Sequence, residues 1–275
     1  IYSIALSGQT ITDCTLSGNR ANKYGGAIFC AKGSGLTISQ CTIGENAALS
    51  GGGLYCSSSR PTITDCTITR NSAEGFGGGV YCRSSEPLIR NCTITQNTTH
   101  DDGGGVFCSS SELALSNCTI ADNATDYGHG GGVHCFSTDA IISNCKIMRN
   151  AAGHDDGGGV SGSSSNLTIS NCTIAWNTAN DGGNGGGVYF YSSDATIANC
   201  TIVGNAAEEG GAVNCRNYDR ATTLVNCILW DNSAATGPAL YTQATASVTI
   251  AYCDVVGGAA AAYVDPDCPT CVLNW

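Results

Sequence analysis

The sequence predicts an all-β fold, a right-handed parallel β-helix of about ten coils with three short strands in each. Three observations predict it: a phrase Cys-Thr-Ile-x-x-Asn that recurs down the chain, glycine clusters at the same period, and apolar residues alternating with period two between them. The repeating cysteines are Cys14, Cys41, Cys66, Cys92, Cys118, Cys145, Cys172, Cys200, Cys227 and Cys253. Their spacing runs from 25 residues (Cys41 to Cys66) to 28 (Cys172 to Cys200), too short for a strand–helix–strand unit of roughly 30 or more residues. Each unit is therefore strands and turns, and it buries its apolar side only by stacking on copies of itself. The coils occupy 1–258; 259–275, with its Ala run, Pro266 and Trp275, departs from the repeat and reads as a cap or joining segment.

One unit, Gly79 to Asn97, fixes the phases. Val80 and Cys82 point inward and Tyr81 outward; Ser84 and Ser85 turn a corner; Pro87 and Ile89 point in; Asn91 turns the next corner; Cys92 and Ile94 point in with Thr93 out. The Asn five residues after each repeating Cys (Asn19, Asn46, Asn71, Asn97, Asn123, Asn150, Asn177, Asn205, Asn232) ends the third strand. Asn tolerates left-handed backbone and bonds its amide to the copies above and below, so these residues predict a ladder. The glycines that follow supply the remaining corner, where a Cβ would collide. They do not cradle phosphate: each cluster leads into Val, Leu or Ile of a strand, not into a helix N-terminus. With parallel strands about 4.8 Å apart, ten coils make a rod about 48 Å long.

Composition excludes several classes. Aliphatic and β-branched residues at fixed intervals rule out disorder. No stretch approaches the 18 apolar residues of a membrane span, so membrane insertion is not expected, and the chain reads as a mature, soluble product or fragment. Eleven basic against 22 acidic residues give a net charge of −11, which repels a phosphate backbone, so nucleic acid is not a partner. Eighteen cysteines, with a single CxxC at Cys268 and Cys271, suggest an oxidising compartment and a terminal disulfide between those two rather than a zinc site.

The phrases Gly25-Gly-Ala-Ile28 and Gly210-Gly-Ala-Val213, set beside Ile43 to Asn46, Ile68 to Asn71 and Ile202 to Asn205, resemble the paired GGA(I/L/V) and FxxN repeats of chlamydial polymorphic outer-membrane proteins and related bacterial surface β-helices. The resemblance covers residues 1 to 258, with Ile or Leu in place of the family's Phe and no membrane-anchoring barrel following. It implies an extracellular or cell-surface passenger or adhesin. It specifies a fold and leaves the activity open, since β-helices carry many functions.

A second cysteine column (Cys30, Cys56, Cys82, Cys108, Cys135, Cys215) gives way to Gly162, Phe190 and Thr242 in other coils. It suggests either staples within a coil, such as Cys82 to Cys92, or a ladder of buried thiols. The outward positions Phe29, Tyr55, Tyr81, Phe107, Tyr189 and Tyr241, interrupted by His134, Ser161 and Asn214, form an aromatic stripe. Facing solvent it would be a contact surface; stacking on a pleated face is the alternative reading. The loops before the glycines carry His100, Asp102, His129, His154 and Asp156, which could hold a divalent ion, Ca²⁺ through carboxylates or a transition metal through imidazoles, or could be solvated turns. No other cofactor is called for. Asn91, Asn117, Asn166, Asn171 and Asn199 are N-glycosylation sequons expected at exposed positions, while Asn97 and Asn123 also match but belong to the ladder and should stay bare.

These features point to a non-catalytic, secreted structural or adhesive solenoid that stacks end to end into a fibre and contacts glycans or a cell surface. The rivals are a polysaccharide lyase or hydrolase using acids of the loop edge, with no catalytic residue legible, and a carbohydrate-binding module.

Overall fold

The computed structural model describes residues 1–4, 7–266 and 272–274. Four parallel sheets run along it. The first has eleven strands, from Tyr2–Ile4 through Val80–Arg83 to Ala262–Val264; the second also has eleven, from Ser7–Thr12 through Leu88–Arg90 to Val272–Asn274. The third has ten, from Thr15–Ser17 to Asp254–Val255. Every pairing is parallel and joins one coil to the next in register, as in Val80↔Val106, Tyr81↔Phe107, Cys82↔Cys108 and Ile94↔Ile120. Each letter of the repeated phrase thus becomes a column along the rod.

Three strands per coil understates the fold. A fourth sheet of eight short strands, from Ala47–Ala48 to Ser233–Thr236, follows the ladder asparagines. Most of its strands are two residues long, such as Thr98–Thr99, and two residues give no alternation to read in a sequence.

The core is the set of inward columns. Ile43, Ile68, Ile94, Ile120, Ile147, Ile174 and Ile202 are completely buried, each contributing about 1.5–3 kcal/mol of transfer free energy. The asparagine ladder closes the third strand: Asn71 donates its amide to Asn97 Oδ1 (2.9 Å) and to Ile43 O (2.9 Å), and Asn97 Oδ1 also accepts the Asn71 backbone N–H (3.0 Å). This repeats from Asn19 to Asn232. The left-handed backbone lies one residue earlier than expected, at Arg70, Gln96 and Asp122 (φ 53°, 57° and 57°), which frees the asparagine to point inward. Asn91, Asn117, Asn171 and Asn199 turn the preceding corner with φ from 53° to 55°. At the glycine corner, a Cβ on Gly78 would strike the carbonyl oxygens of Thr98 and Gly104.

All sixteen described cysteines are free. No within-coil staple is present among the described residues: each thiol meets those above and below it in its own column, Cys82 beside Cys56 and Cys108 and Cys92 beside Cys66 and Cys118. The thiols pack as small apolar groups instead, and burial pushes Cys135 up to about 12. Those of the longer column donate to the carbonyl two residues back, as Cys92 Sγ does to Arg90 O (3.2 Å). Cys268 and Cys271 lie outside the described residues.

Candidate functional site

The side chains that carry chemistry lie on two faces. On the first, the loop before each glycine cluster folds back over the outward residues of the first sheet. Its last residues, Phe76, Asp102, His129, Asp156, Asn184 and Glu209, are themselves in register, through bonds such as Gly103 N–H to His129 O (2.9 Å) and Gly130 N–H to Asp156 O (3.0 Å). They cover the aromatic stripe, which is consequently no surface at all: Tyr55, Tyr81, Phe107, Tyr189 and Tyr241 are buried, and Phe29 is half-buried. The expectation of a solvent-facing contact stripe is overturned by this covering arm, whose two-residue strands the sequence did not disclose.

The covered layer changes character along the rod. From Phe29 to Phe107 it is apolar, with ring centroids at 5.5 Å (Phe29–Tyr55), 5.0 Å (Tyr55–Tyr81) and 4.9 Å (Tyr81–Phe107), and Phe76 lies 5.2 Å from Phe107. From His134 onward it is polar: His134, Ser161, Tyr189 and Asn214 lie beneath His129, Asp156, Asn184 and Glu209. His134 Nδ1, Ser161 Oγ, Asn214 Oδ1 and Arg216 Nε have no hydrogen-bond partner among the described residues. Burial, then His129, holds the His134 imidazole well below its ordinary 6.5.

The five expected metal ligands do not converge as one set. His100 and His154 lie three residues before their glycines, Gly103 and Gly157, and point outward; each is at 4.9 Å from the exposed Tyr127 ring between them, paired with Asp101 (2.9 Å) and Asp181 (3.2 Å) respectively. His129 lies one residue before Gly130 and so enters the inner column. Counting back from the glycine, not forward from the cysteine, separates these rows. His129 Nδ1 is 3.2 Å from Asp155 Oδ1 and 3.9 Å from Asp156 Oδ2, and donor atoms of the three lie within 4.8 Å of one another. Asp156 Oδ1 accepts the backbone N–H and the side-chain amide of Asn184, both at 2.8 Å. Asp102 Oδ1 accepts the His129 backbone N–H (2.8 Å), and burial raises the carboxyls of both Asp102 and Asp155.

The second face is the outside of the second sheet, where sequence reasoning missed a row of polar side chains fixed on strands. Glu112, Asp139, Asn166 and Asp194 are successive register partners. Each stands six residues before its repeating cysteine (Cys118, Cys145, Cys172, Cys200), an offset the sequence offered. With Ala114, Ile141, Thr168, Thr196 and Thr223 they line an open groove of about 750 Å³ running along the rod. Asn166 donates to Asp139 Oδ1 (2.6 Å), and Asp194 accepts from Arg220 (2.8 Å) and from the Ala221 N–H (2.9 Å).

The sequon residues Asn91, Asn117, Asn166, Asn171 and Asn199 are all exposed, the first at a corner with its amide on Asp65 (3.1 Å) and Asn166 inside the groove row. Asn97 and Asn123 are completely buried in the ladder.

The family model described as a right-handed β-helix region matches residues 1–174 and 104–269, which together span nearly all of the chain. The chain belongs to the right-handed β-helix family. No curated protein sequence matches this β-helix. Among solved structures, it is similar to the A-module of the Azotobacter vinelandii mannuronan C-5 epimerase AlgE4, at 12% identity and a TM-score of 0.34, over 100% of this chain and 90% of that one. A superposition that loose carries no argument about activity.

Proposed function

We propose that this β-helix is a non-catalytic, extracellular adhesive rod that holds an extended, uncharged glycan along the groove of its second sheet. One observation carries the reading: across successive coils the groove repeats the same outward positions at strand spacing, a row of acids and amide beside a row of Thr and Ile. A linear polymer meets such a surface at many equivalent points, each weak and together sufficient. The acids favour hydroxyl-rich chains and oppose polyanions in a protein of net charge −11. Asp139 and Asp194 are engaged by Asn166, Arg220 and the Ala221 backbone, which suits positioning more than proton transfer. A location outside the cell and end-to-end stacking of copies belong to the same proposal.

A second reading rests on Glu112 and Asp139, strand-held carboxylates on adjacent coils, which is the arrangement a glycoside hydrolase needs. Binding to a panel of soluble and insoluble polysaccharides, run alongside assays for new reducing ends and for unsaturated products, separates the two. The adhesive reading expects retention without product, lost in a Thr168→Arg, Thr196→Arg variant. Product formation that disappears in Asp139→Asn would replace it with the hydrolase, and absence of both would end it. Sedimentation velocity across a concentration series reads the stacking, and a monomer throughout contradicts it.

A further inference from the structure

We propose that His129, Asp155 and Asp156 form a binding site for a divalent first-row transition ion that clips two successive coils together within the covering arm. This inference is independent of the glycan groove and stands or falls without it.

The donor geometry is close to what an ion requires. Ligand distances of about 2.0–2.2 Å place neighbouring donors of a tetrahedral centre about 3.4 Å apart. His129 Nδ1 lies 3.2 Å from Asp155 Oδ1 and 3.9 Å from Asp156 Oδ2, so an ion needs only small side-chain adjustments. His129 Nδ1 accepts the Asp156 backbone N–H (3.3 Å), which also donates to Asp155 Oδ1 (3.1 Å), so Nδ1 is the unprotonated ring nitrogen and an ion takes the place of this shared, long hydrogen bond. Asn184 fixes Asp156 through Oδ1 alone and leaves Oδ2 turned to the histidine, an arrangement that orients a ligating carboxylate.

The floor of this group supplies the second observation. Ser161 sits in register between His134 and Tyr189. The His129 ring lies 5.4 Å from the His134 ring and 6.2 Å from that of Tyr189, so it spans the gap left by the small serine. Ser161 is completely buried and His134 1% exposed, yet Ser161 Oγ and His134 Nδ1 both lack a partner in the layer directly under the three ligands. Buried polar atoms without partners are destabilising, and an ion with its bound water is the kind of occupant that satisfies them. One imidazole with two carboxylates suits Zn²⁺, Mn²⁺ or Co²⁺; Ca²⁺ asks for six to eight oxygens, more than this group offers.

The free thiols require a probe that distinguishes nitrogen and oxygen ligation from sulfur. The full chain, stripped with chelator and titrated with Co²⁺, should bind at a single tight site with weak visible d–d absorption and no intense near-ultraviolet thiolate band. Excess Zn²⁺ should displace the Co²⁺ and excess Ca²⁺ should not, and saturation should raise the thermal midpoint. His129→Ala and Asp156→Asn should each weaken binding by a factor of ten or more. Asp155→Asn, at the more open rim, keeps the test alive if either inner variant fails to fold as judged by circular dichroism. No binding, a thiolate band, or affinity unchanged in the folded variants would overturn the site.

Discussion

The two halves of the covered layer share one backbone and differ in what fills it. Between Phe29 and Phe107 the columns hold packed aromatic rings sealed by Phe76; between His134 and Asn214 the same positions hold polar groups, several without partners among the described residues, under His129, Asp156 and Asn184. Strand register, glycine corners and asparagine ladder continue across the boundary unchanged. The fold therefore does not dictate chemistry here: a solenoid fixes where a column runs, and substitution within the column decides whether it seals or binds.

The sharpest way to break the comparison is a truncation in the apolar half. Phe107→Ala should cost about 3–5 kcal/mol in urea denaturation, because the vacated ring space is walled by Tyr81 and Phe76. In the polar half, Tyr189→Phe keeps the ring and removes only the hydroxyl beside Asp156, and should change stability by less than about 1 kcal/mol; a loss as large as that of Phe107→Ala would contradict the contrast between the halves.

Next in size is the ladder that both halves share. Asn97→Ala leaves the Asn71 N–H and the Ile68 carbonyl without their partners, and should cost about 3 kcal/mol by thermal melting, whereas Asn91→Ala at the exposed corner should cost under about 1 kcal/mol. A similar price for both would argue against an inward ladder.

High pH should weaken both halves through their buried acids. The thiols of Cys135 and Cys215 are pushed from 9.0 up to about 12 by burial, and the phenol of Tyr81 from 10.0 up to about 12 by burial and then by Tyr55. Groups raised in the folded state hold their stabilisation below the unfolded value and lose it as pH climbs through the folded one. Urea midpoints should therefore be flat from pH 7 to 8.5, then fall progressively above pH 9 and further above pH 10; a rise over that range contradicts the burial.

The smallest effect is a gain. Thr242 is completely buried in the inward cysteine column with its hydroxyl unpartnered, so Thr242→Val should add about 1 kcal/mol, read as a shift of a few degrees in melting temperature.

Much of this was legible beforehand because a repeat averages out noise. Ten copies of one phrase made the inward phase of Ile94, the corner at Asn91 and the ladder at Asn97 readable. What escaped lies where the repeat is shortest or its length varies. The fourth sheet consists mainly of residue pairs with no periodicity, so the arm over Tyr81 and Tyr189 could not be foreseen and their burial was missed. Loops of unequal length also hid that His129 belongs to a different row from His100 and His154. The row from Glu112 to Asp194 was readable, since its offset from the cysteine is constant, although an amide at Asn166 interrupts its acids.

The central claim is that identical rungs lie in register, with both cysteine columns reduced and facing the core. Pulse alkylation of the native protein, mapped site by site by peptide mass spectrometry, tests it directly. Cys14, at the exposed end of its column, should label at once, while the thiols from Cys30 to Cys227 should remain protected until the chain unfolds and then react as free thiols. Rapid native labelling at alternate coils, or recovery of Cys82 and Cys92 as a disulfide-linked pair, would contradict the account.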